Sequence, residues 1–282
     1  MRILRYRLRV NTLLHSIQAC RSAVLPGGRL AFRVGATQVG WVLPDVAAAL
    51  TGLAGIRQDE TGLVLDAGRA HTLPTIGRML SKRGLCRWRD EAFDVRAHET
   101  GPVLAQVDRG CLVVLGMLAQ GIHMDGVVRA PDGLHVWIAT RSASKALDPG
   151  KQDHLVAGGV PAGLSPWQML LKEAAEEAAM APALAERARN VGRFTYAMER
   201  PDGLRRDIIH CYELELPADF VPHPVDGEIE GFTLWRLDAL VAAVRGGIAF
   251  KFNVMPVLIG LFLRHGAVTG AEAEALRQAL EG

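Results

Sequence analysis

Residues 165–180 say where a helix starts, which face it buries and which charges it carries, and so constrain the fold of this 282-residue chain strongly. Ser165-Pro166-Trp167-Gln168 has the form of a capping box. The serine hydroxyl can accept from an early backbone N–H, proline suits the first helical position, and the glutamine reaches back to the cap. The spacing predicts a helix from Pro166 to about Ala179. On a helical projection Trp167, Leu170, Leu171, Ala174 and Ala178 form one narrow stripe suited to packing on a sheet. Glu173, Glu176 and Glu177, at i, i+3 and i+4, gather on the other side.

Each like-charged neighbour pair on such a turn costs roughly 0.2–0.5 kcal/mol. The acids also stand late in the helix, where the macrodipole favours cations, and Lys172 offsets only part of that penalty. Taken alone, KEAAEEAA reads as a solvated helix face at least as readily as a site. The preceding loop shifts the balance. Gly158-Gly159-Val160-Pro161-Ala162-Gly163 lets backbone approach a ligand closely, and strand, glycine loop and acidic helix in that order leave phosphate-sized space beside the acids. A hard divalent cation, Mg²⁺ or Mn²⁺, takes oxygen ligands and neutralises clustered carboxylates, so Glu173, Glu176 and Glu177 are the expected metal ligands.

Around this helix the chain reads as two parts. From Leu13 to about Leu118, helical spacing over 42–53 and β-prone runs at 30–34 and 63–67 suggest a small α+β unit. Val127-Val128 and His135 to Ala139, joined by Pro131-Asp132-Gly133, read as a hairpin. The boundary is expected near Gly116 to Gly121, giving a front domain over 1–119 and a second over 120–282. The second continues with a loop from His154 to Ser165, the acidic helix, and strands around Phe194–Met198 and Ile208–Leu216. It closes with a turn at Gly246-Gly247 and helices over Val254–Arg264 and Thr269–Leu280. Strands and helices alternating without a fixed period predict an α/β sandwich.

With 32 Lys+Arg against 30 Asp+Glu, no whole-molecule field draws the chain to nucleic acid or an anionic membrane. The longest apolar runs, Cys111–Ala119 and Val254–Leu263, are about half the ~20 residues a spanning helix needs. Cys20, Cys86, Cys111 and Cys211 show no CxxC or metal-ligand spacing and are expected to be reduced thiols in a cytoplasmic protein. Met1 to Val10 alternates arginine with apolar residues, which reads as a strand or ragged start, with an organelle-targeting segment as the alternative. There is no HExxH, GxSxG, Walker or dinucleotide-binding pattern, which disfavours a zinc protease, serine hydrolase, kinase or dehydrogenase.

Gly158 to Met180 resembles the Nudix box, G-x5-E-x7-R-E-U-x-E-E-x-G-U, where U is a bulky apolar residue. Gly158 matches the first glycine, Glu173 the acid after the basic position, and Glu176-Glu177 the paired acids. Leu164, Lys172 and Ala179 replace the family's Glu, Arg and late Gly. Outside the box, segments such as WRDEAFDV, GIHMDGVV, RSASKALDPGKQDHLVAGG and FKFNVMPVLIGLFLRHG are similar to two-part Nudix proteins related to thiamine diphosphate metabolism, from about Leu13 to Gly266.

The resemblance implies a Nudix α/β/α sandwich behind a family-specific α+β domain. It also implies metal-dependent hydrolysis of a small organic diphosphate, thiamine diphosphate or its oxidised or analogue forms, to a monophosphate and phosphate. ADP-ribose or another nucleoside-diphosphate-linked compound is the alternative substrate, and a non-catalytic ligand sensor the alternative function. Glu173 and Glu177 would be catalytic, together with Glu228, which matches a downstream acid used as an extra ligand or general base. Glu228 reads otherwise as an exposed turn carboxylate. Arg141 and Lys145 are candidates for phosphate contact, against a reading as surface charge, and Gly158 and Gly159 could present backbone N–H groups to the same phosphates. Trp137, Tyr196 and Trp235 read first as core and second as stacking surfaces, and His154 as loop structure. The partner is a small molecule rather than nucleic acid or membrane, and the front domain is expected to lid the site or to build a homodimer contact.

Overall fold

Amphipathic helices need a sheet to cover, and two such assemblies are present. The computed structural model describes residues 13–145, 147–225 and 227–281, so Met1–Val10 lies outside the described residues. Residues 13–20 form helix α1. The front unit follows with β1 (Leu30–Val34), β2 (Thr37–Val42), α2 (Pro44–Leu50), β3 (Ile56–Asp59), β4 (Gly62–Leu65), α3 (Leu73–Lys82), β5 (Ala92–Val95) and β6 (Ala105–Asp108). β1 pairs antiparallel with β2 and parallel with β4, giving the order β2-β1-β4-β3, while β5 and β6 pair separately. Phe32, Leu50, Leu63, Leu73 and Leu80 fill the core of this unit.

The second unit contains β7 (Leu118–Ala130), β8 (Gly133–Arg141), β9 (Gln152–Asp153), β10 (Val156–Gly159), α4 (Pro166–Ala178) and α5 (Pro182–Ala185). It continues with β11 (Arg189–Arg200), β12 (Gly203–Glu215), β13 (Ile229–Arg236), α6 (Leu237–Arg245), α7 (Val254–Arg264) and α8 (Gly270–Glu281). Its sheet runs β11-β12-β7-β8-β13. Along β7 the two-residue alternation sends Ile122, Met124 and Val128 to the face covered by α4, and Val127 to the face covered by α6, α7 and α8. The result is an α/β/α sandwich. β7 pairs with β12 on one side; on the other, β10 takes Gly121–Met124 and β8 takes Gly126–Ala130. The sheet therefore forks at Asp125, which is buried. There it accepts from Arg264 Nη2 at 3.2 Å and faces His154 Nδ1 at 2.8 Å.

The expected loop at 154–165 begins as strand β10, because small glycines still pair with β7 while admitting close neighbours. Helix α1 also departs from the boundary drawn at 119. Leu13, Ile17 and Cys20 are buried in the second unit's core, and Arg21 Nη2 donates to Leu280 O at 2.8 Å. The front unit is thus threaded between α1 and β7. Its entry and exit meet the same hairpin: Ala23 N donates to Ala197 O at 3.1 Å, and Leu204 N to Val113 O at 3.0 Å. All four cysteines are free, and Cys86 and Cys111, distant in sequence, lie with sulfurs 3.2 Å apart. Among the described residues no helix is long and apolar enough to cross a membrane.

Helix α4 starts at the expected capping box: Gln168 N donates to Ser165 Oγ at 3.2 Å, and Ser165 N to Gln168 Oε1 at 2.9 Å. Its buried face differs from the expected stripe. Met169, Leu170, Ala174, Glu177 and Ala178 are buried, while Trp167 is 36% exposed and tilts against Tyr212. Leu170, Ala174, Glu177 and Ala178 follow i, i+4, i+7, i+8, so the helix that seats the aliphatic side chains also carries Glu177 inward. The helix ends on Ala179, whose φ of 51° and ψ of 34° are left-handed. A side chain there costs about 1 kcal/mol that glycine avoids. Ala179→Gly is therefore expected to raise the urea midpoint, gaining about 1 kcal/mol with an unchanged slope.

Candidate active site

Strand β10 is clasped from both sides, and its two glycines are the reason it can be. A Cβ on Gly158 would stand 2.7 Å from Glu173 Oε1, and one on Gly159 would stand 2.9 Å from Phe93 Cζ of the front unit. The Glu173 carboxylate of α4 thus lies directly on the backbone of β10. One helical turn on, Glu177 is 4% exposed and its Oε2 accepts from Ala157 N at 2.9 Å. Burial and then the neighbouring Glu173 push the Glu177 carboxyl up to about 8, against the pull of the Ala157 N–H and of Lys145. Glu176 is exposed and ion-paired with Lys172 on the preceding turn. The three acids therefore do not share one environment: Glu173 and Glu177 converge, and Glu176 faces outward.

A cleft of about 1160 Å³ opens between the two units. Glu173, Glu176, Gly158, Gly159, Arg141, Lys145 and Glu228 all line it, with Glu177 behind them. Lys145 and Glu228 pair across the mouth, where Ser142 N also donates to Glu228 O at 2.9 Å. Arg141 is engaged in the fold. Its Nη1 donates to Asp153 Oδ2 at 2.6 Å, its Nε to Asp148 O at 3.1 Å and its Nη2 to Leu147 O at 2.8 Å. Those bonds shape the loop that carries Lys145. Trp137 and Tyr196 are buried and Trp235 is half-buried, and none of the three lines the cleft. His154, expected as loop structure, is the fully enclosed partner of Asp125.

The back wall of the cleft uses residues that sequence reasoning did not single out: His123, Arg205, Asp207, Lys251 and Asn253. They come from β7, β12 and the turn before α7, with no common spacing to connect them; FKFN (250–253) was visible only as part of a resemblance. Burial, reinforced by Lys251, holds the His123 imidazole well below its usual range, so it is neutral. Burial pushes Asp153 upward, but Lys251 and Arg141 outweigh it and keep that carboxyl below the usual range. His123 Nδ1 and Asn253 Oδ1 have no hydrogen-bond partner among the described residues. Both are buried polar atoms in residues that line the cleft.

Over 201 residues, 71% of the chain, the sequence is 36% identical to Nudix hydrolase 20, chloroplastic, of Arabidopsis thaliana, covering 54% of that relative. A stretch of 201 within 282 residues cannot miss 158–180, whichever end it starts from. The matched stretch therefore takes in the segment that resembles the Nudix box. Nudix hydrolase 24, chloroplastic, of the same plant matches at 36% over 199 residues, 71% of the chain and 54% of that relative. The chain spans about half the length of the curated relatives it matches. No protein-family model matches it. Among solved structures, DR0079 of Deinococcus radiodurans is 24% identical with a TM-score of 0.45, covering 67% of this chain and 99% of that one.

The residues present fit a hard divalent cation at Glu173 and Glu177. Two carboxylates converge there in a low-dielectric pocket, one of them driven toward its neutral form, and a cation relieves that conflict. Among the described residues no three carboxylate, histidine or cysteine side chains converge as a ready ligand set. The protein's own contribution is therefore this pair of carboxylates, with Glu176 at the rim of the cleft.

Proposed function

We propose that this protein belongs to the Nudix family and hydrolyses the diphosphate of a small organic diphosphate, thiamine diphosphate or its oxidised or analogue forms, to a monophosphate and phosphate. The observation that carries the reading is the buried Glu177 of α4, which lies with Glu173 against β10 at a cleft lined with cationic side chains. A bound Mg²⁺ or Mn²⁺ supplies charge shielding of the diphosphate and acidification of a water. Glu173 and Glu177 would hold it, with Glu176 completing the set from the rim. Lys145, on the loop that Arg141 fastens, would exchange Glu228 for a substrate phosphate. Glu228, released from that pair, would take a proton from water. The thiamine assignment is supported by the similarity running from about Leu13 to Gly266, front unit included.

The cleft volume of about 1160 Å³ favours a second reading, a larger compound such as ADP-ribose. A phosphate-release screen with Mg²⁺ separates the two: thiamine, oxythiamine and oxo-thiamine diphosphates against ADP-ribose and nucleoside triphosphates, with a phosphatase added to expose monoester products. The thiamine compounds are expected to give the highest kcat/KM, and EDTA to abolish release. Preference for ADP-ribose overturns the thiamine assignment. No hydrolysis of any compound overturns the enzyme reading in favour of a sensor.

A further inference from the structure

The front unit contributes three guanidinium groups to the cleft, and the chain around them is built to bring them together. Arg87 and Arg89 lie between α3 and β5, and Arg109 on the turn after β6; all three line the same cleft as Glu173, Gly158 and Gly159. Asp108 joins the two segments. It is 2% exposed, and its carboxylate accepts from the backbone N–H of Arg89 at 2.9 Å, Glu91 at 3.1 Å and Gly110 at 2.8 Å. Gly110 lets the backbones touch, since a Cβ there would stand 1.7 Å from Arg87 O.

The cluster carries more positive charge than its neighbours neutralise. Arg109 pairs with Glu91 at 2.8 Å. Among the described residues no carboxylate forms an ion pair with Arg87 or Arg89. Burial, then Arg87 and Arg109, push the Arg89 guanidinium below its usual range, the mark of crowded cations. The cluster also reaches the catalytic side: a Cβ on Gly159 would lie 3.6 Å from Arg109 Cζ.

We infer that Arg87, Arg89 and Arg109 form a second anion subsite of the cleft, which takes a terminal phosphate of the substrate. The inference rests on the diphosphate-hydrolase reading and sharpens it. A terminal phosphate carries nearly two charges and three acceptor oxygens, which suit converging guanidinium forks. A diphosphate esterified at both ends offers a single charge on each phosphorus and no such terminus. The site therefore selects for substrates with a free phosphate end, either the β-phosphate of a diphosphate monoester or a phosphomonoester elsewhere on the molecule.

The test uses the full chain with Arg87→Gln and Arg89→Gln, singly and together, after a thermal melt has shown each variant folded. Arg109 is left in place because it holds Glu91. Turnover is compared for thiamine diphosphate against ADP-ribose, and for NADPH against NADH. In the double variant the ratio of KM for thiamine diphosphate to KM for ADP-ribose is expected to rise at least tenfold, with kcat for thiamine diphosphate within about twofold of the parent. A rise confined to NADPH relative to NADH assigns the subsite to a remote phosphomonoester instead. If compounds with and without a phosphate end shift together, or neither shifts, the inference fails. Calorimetric titration with inorganic phosphate decides it without turnover: at least tenfold weaker binding in the double variant supports the subsite, and equal binding removes it. Should the parent protein hydrolyse none of the four compounds, the functional reading falls while the phosphate titration still judges the subsite.

Discussion

Glu177→Gln is expected to cut hydrolysis roughly 10²-fold or more while making the fold more stable in alkaline, EDTA-containing buffer. The stability half follows from proton linkage. The carboxyl titrates near 4.5 when unfolded and is pushed up to about 8 in the fold, so between those values the folded state holds a proton that the unfolded state has lost. Stability is therefore full below about pH 4.5, falls as pH rises toward 8, and is lowest above it. The full effect is on the order of 5 kcal/mol. Glutamine has no charge to desolvate, and its carbonyl oxygen can still accept from Ala157 N. Melting curves in EDTA across pH 5–9 should show the parent losing stability relative to the variant. Parallel curves would mean that Glu177 is ionised and compensated in the metal-free fold.

Arg141→Ala is expected to cost about 3 kcal/mol, because removing one partner of a buried ion pair strands the other. Asp153 would keep Lys251 Nζ, at 3.2 Å, as its cation and the His154 N–H, at 3.0 Å, as its backbone donor, and the carbonyls of Leu147 and Asp148 would lose their donor. For a unit of this size that is a drop of roughly 6–12 °C in Tm. A residue employed chiefly in gripping substrate would behave differently, raising KM with an unchanged Tm. Differential scanning calorimetry together with KM for thiamine diphosphate distinguishes the two roles of Arg141.

What could be read in the sequence was what short-range chemistry writes there. The capping box, the helix to residue 178 and the hairpin around 131–133 depend on neighbours a few residues apart, and they stand where the spacing placed them. The three glutamates show the limit. Spacing puts them on one side of a helix, but which of them is buried depends on how the helix is rotated on its sheet. Seating Leu170, Ala174 and Ala178 turned Glu177 inward and left Glu176 to Lys172. Arg141 was visible as a cation before a glycine loop; its acidic partner, twelve residues on, was not. The front arginines gave no motif at all, because Asp108 and Gly110 unite two segments about twenty residues apart.

The threading of the front unit between α1 and β7 limits how the cleft can breathe. A domain hung on one linker can swing through a wide arc. This one is tethered twice, at residues 23 and 113, to the same β11–β12 hairpin, and it also leans on the catalytic strand through Phe93 and Gly159. Displacing the front unit as a body therefore strains both tethers at once, and cutting it away would uncover Gly159 of β10, against which Phe93 rests.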